Sequence, residues 1–181
     1  MQLIRESGAG VAHCPKTHTR FGDIHDFLPR AVQVGVPCAL GSDGPASNST
    51  INIFEAARDA ALLAKCATRN PQAARLRDVL GLLCNGAALG MSGYGRVDKG
   101  ALADLVLIKP DSPNMQPEHN VFANVLYSLG ERNVDAVIVD GKVVVRDGRL
   151  VGIDLPELYR AAAAANRRLT TAVSGTPLQT Y

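Results

Sequence analysis

Several features that mark specialised classes of protein are missing from this 181-residue chain. It has no tryptophan, and aromatic residues are only 4% of the total. No apolar run approaches the roughly 18 residues of a membrane-spanning helix, and no charged segment followed by an apolar one marks a secretory leader. The formal net charge of +2 is too small to predict a nucleic acid or a membrane as a partner. Hydrophobic residues, at 46%, nevertheless predict a folded core.

Cysteine pairs of the kind that bind zinc or exchange disulfides are missing too. Cys14, Cys38, Cys66 and Cys84 are widely separated, and no Cys-x-x-Cys occurs. The sequence also has no His-x-His, no His-Glu-x-x-His and no glycine-rich phosphate-binding pattern. Scattered cysteines are typical of reduced thiols in a reducing compartment, so we expect a cytoplasmic protein.

A carboxylate at the end of an apolar run is the most informative feature that is present. Residues 36–40 are predicted to form a short strand, and Gly-Ser-Asp-Gly at 41–44 places Asp43 directly after it. Parallel α/β folds carry catalytic side chains at this end of a strand, where a rigid scaffold meets an open loop. A loop residue that caps the next helix fits the local pattern equally well.

A second polar residue, His13, follows the preceding apolar run. A helical pattern from Ile24 to Val34 connects His13 to the strand before Asp43. A longer helix is predicted from Ile51 to Cys66, with Ile51 and Leu62 among its buried positions. This β-α-β-α order with short connections predicts a parallel strand pair with a right-handed crossover. His13 and Asp43 would then lie at the same edge of the sheet.

The last part of the chain changes from helical to alternating periodicity. Strands are predicted at 103–108, 136–139 and 143–145, and Asp140-Gly141 between the last two favours a type I′ turn. A short helix is predicted at 120–129, with Val121, Phe122, Val125 and Leu126 on its apolar side. An alanine-rich helix at 156–172 is predicted to pack on this small β domain.

Taken together, these motifs resemble the amidohydrolase superfamily. The sequences Val-Ala-His-Cys-Pro-Lys-Thr at 11–17 and Gly-Ser-Asp-Gly-Pro-Ala-Ser-Asn at 41–48 resemble its last two barrel strands. The segments 95–108 and 134–150 resemble the strands of its small β domain. Within the superfamily, the chain is most similar to the 5-methylthioadenosine/S-adenosylhomocysteine deaminases and the related chlorohydrolases.

The resemblance implies an α/β fold made of parts of a larger one. Residues 1–94 would be the last two βα units of a TIM-type (β/α)₈ barrel, which carries the metal-dependent hydrolase site. Residues 95–152 would be part of the small β-sandwich domain, with an inserted helix. Residues 153–181 would be a C-terminal helix and tail.

The resemblance also implies roles for four residues. In this superfamily the acid at the position of Asp43 binds a catalytic divalent metal, usually zinc, and takes a proton from the attacking water. Ser47 and His13 match positions near the substrate, and Asn48 is a weaker candidate. A helix cap, a loop hydroxyl or a structural histidine fits these three as well. The implied function is hydrolytic deamination of a purine-type or related heterocyclic small molecule. A triazine or guanine substrate, or chloride as the leaving group, is the alternative.

Most of the family's metal site is absent from this sequence. A (β/α)₈ barrel takes about 250 residues, far more than precede the β domain here. The family's His-x-His, its metal-binding histidine with the neighbouring glutamate, and its catalytic histidine are all missing. His18, His25 and His119 do not match those positions. One carboxylate does not make a zinc site, so this chain alone is not expected to be an active deaminase.

Three interpretations of this gap remain open. The chain is the C-terminal piece of a longer enzyme, one subunit of a split enzyme, or a non-catalytic module that kept the fold as an assembly surface. Each predicts a partner, either the missing N-terminal barrel portion or further copies of the chain. The reason is that unpaired strand edges are templates for pairing with another chain.

Overall fold

Two sheets of opposite type organise residues 1–172, which are the residues that the computed structural model describes. In the first, β1 (Val11–His13) and β2 (Cys38–Leu40) run parallel, with His13 opposite Leu40. The second is antiparallel, in the order β3-β4-β5-β6. Its strands are Leu105–Ile108, Val134–Val139, Lys142–Arg146 and Arg149–Leu150. The α/β class and the parallel pair were predicted correctly, and the tail predicted after residue 172 lies outside the described residues.

Six helices accompany the parallel pair. They are α1 (Gln2–Ser7), α2 (Pro15–Arg20), α3 (Phe27–Val34), α4 (Pro45–Asn48), α5 (Ile53–Thr68) and α6 (Leu76–Leu83). A 3₁₀ turn follows at Gly86–Leu89. Their shared core contains Leu28 and Ala31 from α3, Ala57 and Ala61 from α5, and Val79 from α6. The core therefore lies between the two strands and the helices that pack on them.

The segment between β1 and β2 differs from the prediction. It holds two helices, because Pro15 occupies the first helical position, where a missing N–H costs nothing. His18 therefore lies in a helix, and His25, which the helical pattern from Ile24 included, lies in the loop before α3. Ile24, predicted to start the inward face, precedes α3 and is 63% exposed.

The long helix α5 begins later than predicted. Asn52 caps it, accepting hydrogen bonds from the N–H groups of Phe54 and Glu55. Ile51 therefore precedes the helix and is 71% exposed, and Leu62 also faces solvent. Apart from Leu63, the buried face is made of alanines: Ala56, Ala57, Ala60, Ala61 and Ala64, of which Ala57 and Ala61 were predicted. Small side chains let α5 lie close to the strands.

The chain between β3 and β4 packs against α5. It contains helix α7 (Val121–Ala123), which continues into a π-helical turn at Asn124–Ser128. The guanidinium of Arg58 in α5 donates to the carbonyls of Leu126 and Leu129, at 3.2 and 2.6 Å. Leu126 is buried. Val121 and Phe122, predicted to face inward, are exposed. Of the predicted apolar side, the second half is therefore the part that is buried or half-buried, and Leu126 was predicted correctly.

The antiparallel sheet and the last helix complete the described chain. Asp140 and Gly141 both have positive φ, 49° and 72°, as the predicted type I′ turn requires. Helix α8 (Leu155–Ala172) leaves Leu158 and Leu169 exposed, so the predicted packing of this apolar stripe on the sheet is not observed. Between residues 1 and 172, no helix is both long and apolar enough to span a membrane.

Candidate active site

Asp43 lies in the loop directly after β2. The N–H of Gly41 donates to the carbonyl of His13 at 2.9 Å, which extends the strand pairing by one residue and starts the loop at Ser42. His13 ends β1 and Asp43 follows β2. Both residues therefore lie at the carboxyl edge of the parallel pair, as the sequence predicted.

Three hydrogen bonds hold the Asp43 carboxylate. Oδ2 accepts from the hydroxyls of Ser47, at 2.7 Å, and Thr17, at 2.9 Å, and Oδ1 accepts from the N–H of Gly44, at 2.7 Å. The bond from Ser47, then those from Gly44 and Thr17, lower the pKa of Asp43 because each favours the charged form. A carboxylate has about four acceptor positions. This exposed group is therefore ionised at neutral pH and keeps capacity for one further ligand.

Ser47 and Asn48 shape the loop that carries Asp43. The Ser47 hydroxyl lies 2.7 Å from Asp43 and 3.1 Å from the Gly44 carbonyl, and its single proton goes to the nearer, charged acceptor. Asn48 is only 2% exposed and donates through Nδ2 to the Ser42 carbonyl. The Asn48 Oδ1 atom is buried without a hydrogen-bond partner among residues 1–172. Both residues support the acid, and their contact with substrate stays a prediction.

His13 is a buried imidazole on the wall of the same cavity. It is 4% exposed, and its ring centroid lies 5.0 Å from that of Phe27. Burial, followed by the neighbouring His25 and His18, lowers the pKa of His13 to about 4. His13 is therefore neutral at neutral pH. Its predicted contact with substrate also stays a prediction.

Helix α2 is fixed against the loop by two long side chains. The Lys16 ammonium lies 2.7 Å from the Glu55 carboxylate of α5. The Arg20 guanidinium donates to Ser49 Oγ at 2.6 Å. These contacts keep Thr17 beside Asp43. The role of Thr17 was missed at the sequence level because it depends on α2, and the sequence signal for that helix was Pro15 alone.

A cavity of about 550 Å³ opens at this edge of the parallel pair. The chemically active side chains that line it are His13, Cys14, Thr17, His18, His25 and Asp43. His18 and His25, which no sequence motif connects, have ring centroids 4.4 Å apart and nearly perpendicular planes. The fold thus brings three imidazoles to the side of the predicted acid.

Asp43 is the residue of the described chain that would hold a catalytic divalent metal. An ionised carboxylate with free acceptor capacity suits such an ion, so Asp43 fits this role. Within residues 1–172 no group of three metal-ligating side chains includes Asp43. The further ligands would have to come from outside the described chain.

Comparison with protein families and curated proteins gives consistent results. A model described as the amidohydrolase family matches residues 1–144. A 5-methylthioadenosine/S-adenosylhomocysteine deaminase of Desulforudis audaxviator is 36% identical over 176 residues, covering 96% of this chain and 41% of that protein. A 5′-deoxyadenosine deaminase of Methanococcus maripaludis is 32% identical, with 94% and 40% covered. The chain thus spans about two fifths of the length of these curated relatives.

Solved structures show the same relationship. An adenosine deaminase from Xanthomonas campestris, with bound zinc, superposes with a TM-score of 0.88 at 28% identity, covering 93% of this chain and 39% of that one. Atrazine chlorohydrolase from Arthrobacter aurescens TC1, complexed with zinc, gives a TM-score of 0.83 at 24% identity, covering 90% and 37%. The second likeness is one of fold alone.

Proposed function

The chain belongs to the amidohydrolase family, and on that premise we propose that it is the C-terminal portion of a metal-dependent enzyme that removes ammonia from a purine-type ring. The observation that carries this proposal is the Asp43 carboxylate. Its three hydrogen-bond donors hold it ionised at the edge of a cavity large enough for a small heterocycle.

In this proposal the chain contributes the acid–base group of the site. Asp43 would be a metal ligand, and a divalent metal bound there would acidify the water that attacks the ring. The one free acceptor position of the carboxylate would be taken by the metal, so one hydrogen-bond donor would have to give way for Asp43 to take a proton from the attacking water and pass it to the leaving amine. Ser47, Thr17 and the Gly44 N–H keep the carboxylate in one orientation, so the transfer begins from a fixed geometry.

The parallel strand pair supports a proposed assignment of the fold. Strands β1 and β2 would be the last two strands of a (β/α)₈ barrel, with 1–94 as barrel, 95–152 as part of the small β domain and 153–181 as the C-terminal helix and tail. Among the described residues each of these two strands pairs only with the other. The missing N-terminal barrel portion would pair with the open edges and supply the remaining metal ligands.

A purine-type substrate is favoured over a triazine. The relatives with 32–36% identity are named as deaminases of adenosine derivatives, whereas the likeness to the chlorohydrolase is below 25% identity. Guanine and chlorinated triazines remain the second candidates. A non-catalytic assembly module would not need an ordered carboxylate at the cavity.

The test is replacement of Asp43 in the protein expressed from its complete reading frame. We expect Asp43→Asn to lower kcat for deamination of 5-methylthioadenosine by about 100-fold or more, because it removes the proton acceptor. Asp111→Asn, an exposed acid far along the chain, is the matched control and should leave the rate unchanged. Near-normal turnover in Asp43→Asn would refute the assignment.

A further inference from the structure

A group of metal-ligating side chains separate from Asp43 lies beside the cavity, and two of its members, His18 and His25, line it. His18, Asp23 and His25 each offer one ligand atom, and these atoms lie within 4.8 Å of one another. His18 belongs to α2, and the other two lie in the loop before α3. The group contains no atom of Asp43.

The His25 imidazole has one nitrogen without a partner. Nε2 is buried and accepts or donates no hydrogen bond among residues 1–172. Its other nitrogen, Nδ1, accepts only a long hydrogen bond from the Phe27 N–H, at 3.4 Å. A buried polar atom without a partner costs free energy, and a bound cation would remove that cost.

His18 and Asp23 already lie at the spacing of two ligands of one ion. His18 Nδ1 lies 3.2 Å from Asp23 Oδ2, close to the roughly 3.4 Å between ligand atoms of a tetrahedral zinc site. A metal ion bound between them would replace the proton of this hydrogen bond, because metal ligands bind in their deprotonated form. The His18 ring would then carry its proton on Nε2.

We propose that His18, Asp23 and His25 form a binding site for a divalent transition-metal ion of the zinc class. Imidazole nitrogen prefers zinc, copper, nickel or cobalt to calcium or magnesium. Three protein ligands leave one coordination position open, and His18 and His25 line the cavity. The neutral His13, 5.7 Å from His25 between ring centroids, adds no repelling charge.

Binding requires a small closure of the group. Bonds of about 2.1 Å in a tetrahedral site put ligand atoms roughly 3.4 Å apart. The loop that carries Asp23 and His25 is exposed at residues 21–24, so it has room to move. Coordination through His25 Nε2 puts the ring proton on Nδ1, so Nδ1 no longer accepts the long hydrogen bond from the Phe27 N–H. This proposal uses residues of this chain alone and does not depend on the proposed function.

The test counts Co²⁺ bound by the protein expressed from its complete reading frame. After removal of metal by a chelator, equilibrium dialysis against Co²⁺ gives the number bound, and the visible absorption of Co²⁺ reports nitrogen ligation. We expect the double variant His18→Gln/His25→Gln to bind one ion fewer per chain than the wild type. His119→Gln, an exposed histidine elsewhere, is the matched control and should keep the full number.

Asp23→Asn guards against a variant that fails to fold, because this exposed loop substitution removes a ligand charge without disturbing the core. It should weaken binding of that one ion by tenfold or more. Asp43→Asn should remove a different ion and leave unchanged the absorption of the Co²⁺ ion bound by His18, Asp23 and His25. An unchanged Co²⁺ number and spectrum in both the double variant and Asp23→Asn would overturn the proposal. Full deaminase activity in Asp43→Asn would count against the proposed function only.

Discussion

Asp43 has a backbone conformation that few residues other than glycine adopt. Its φ is 57°, in the left-handed region. Aspartate reaches this region more readily than most residues, because its side chain can hydrogen-bond locally. Here Oδ1 accepts the N–H of Gly44, the next residue. The turn thereby directs Oδ2 towards Thr17 and Ser47.

Individual residues differ in how far the sequence predicted them. His13 and Asp43 were placed correctly, because the ends of parallel strands follow from local apolar runs. Thr17, His18 and His25 were not, since their proximity depends on how α2 packs beside the loop. The sequence contained the side chains but no periodicity that would bring them together.

The hydrogen bond from Thr17 should affect the pH dependence of catalysis. Thr17→Val keeps the shape of the side chain but removes a donor that lowers the pKa of Asp43. The pKa should therefore rise towards its ordinary value, and the acid limb of kcat/KM against pH should move to higher pH. We expect a loss of roughly tenfold or less at neutral pH, since the contact is exposed. An unmoved acid limb would contradict this role.

Asp59 on α5 should reduce stability at neutral pH. Burial, and then the charge of Glu55, raise its pKa. The folded state therefore favours the protonated form of Asp59. Ionisation of Asp59 lowers the free energy of unfolding. This loss is absent below the ordinary pKa and is complete once the pH has risen through the folded pKa. Asp59→Asn should raise the free energy of unfolding at pH 7 by about 0.5–1 kcal/mol.

Urea unfolding at pH 7 and in acid checks this prediction, because the gain should disappear in acid. Asp78→Asn is the matched control, since Asp78 accepts a 2.9 Å bond from Arg75. Its loss should lower stability slightly instead. A loss of stability at pH 7 in Asp59→Asn would show that the Asp59 charge is compensated.

At the scale of elements, one glycine sets how closely the 3₁₀ turn at Gly86–Leu89 approaches β1. A Cβ on Gly10 would lie 1.5 Å from the carbonyl oxygen of Ala88. Gly10→Ala should therefore lower the free energy of unfolding by about 1–3 kcal/mol. Gly81→Ala is the matched control: it lies in α6 with open space around it and should stabilise the protein by about 1 kcal/mol. Equal thermal midpoints for the two variants would contradict the close approach.

Element boundaries were predicted less well than element types. The parallel pair, α5 and the antiparallel strands were all expected, but α5 starts at Ile53 because Asn52 caps it. Helical periodicity also predicts a helix over 75–91, but α6 ends at Leu83, and the Asn85 side chain then donates to the Cys38 carbonyl at 2.8 Å. Helical periodicity does not reveal such side-chain-to-backbone bonds, so it overestimates the length of the helix.

At the scale of the whole molecule, the parallel sheet of the described chain has open edges. Strands β1 and β2 each have one edge without a hydrogen-bonded partner strand among residues 1–172. Large apolar side chains are also exposed, including Leu3, Phe21, Ile24, Ile51 and Val97. Open strand edges and exposed apolar surface both favour association.

The isolated 181-residue chain should therefore form oligomers or aggregates. Size-exclusion chromatography with light scattering measures its mass in solution. Adding a separately expressed N-terminal barrel portion of a deaminase relative should shift the chain into a one-to-one complex, because that portion would cover the open edges. A compact monomer that does not bind the added portion would instead indicate that the chain folds stably by itself.

The bonds that orient Asp43 all arise within one continuous stretch, from Thr17 to Ser47. The ion pair from Lys16 to Glu55, which anchors α2, extends this stretch to residues 16–55. With β1 added, we expect residues 11–55 to be inherited as one block. A recombination event that exchanges the whole block between relatives transfers the acid with its donors. A crossover between Thr17 and Asp43 separates donor from acceptor, so viable chimaeras should have their junctions outside the block.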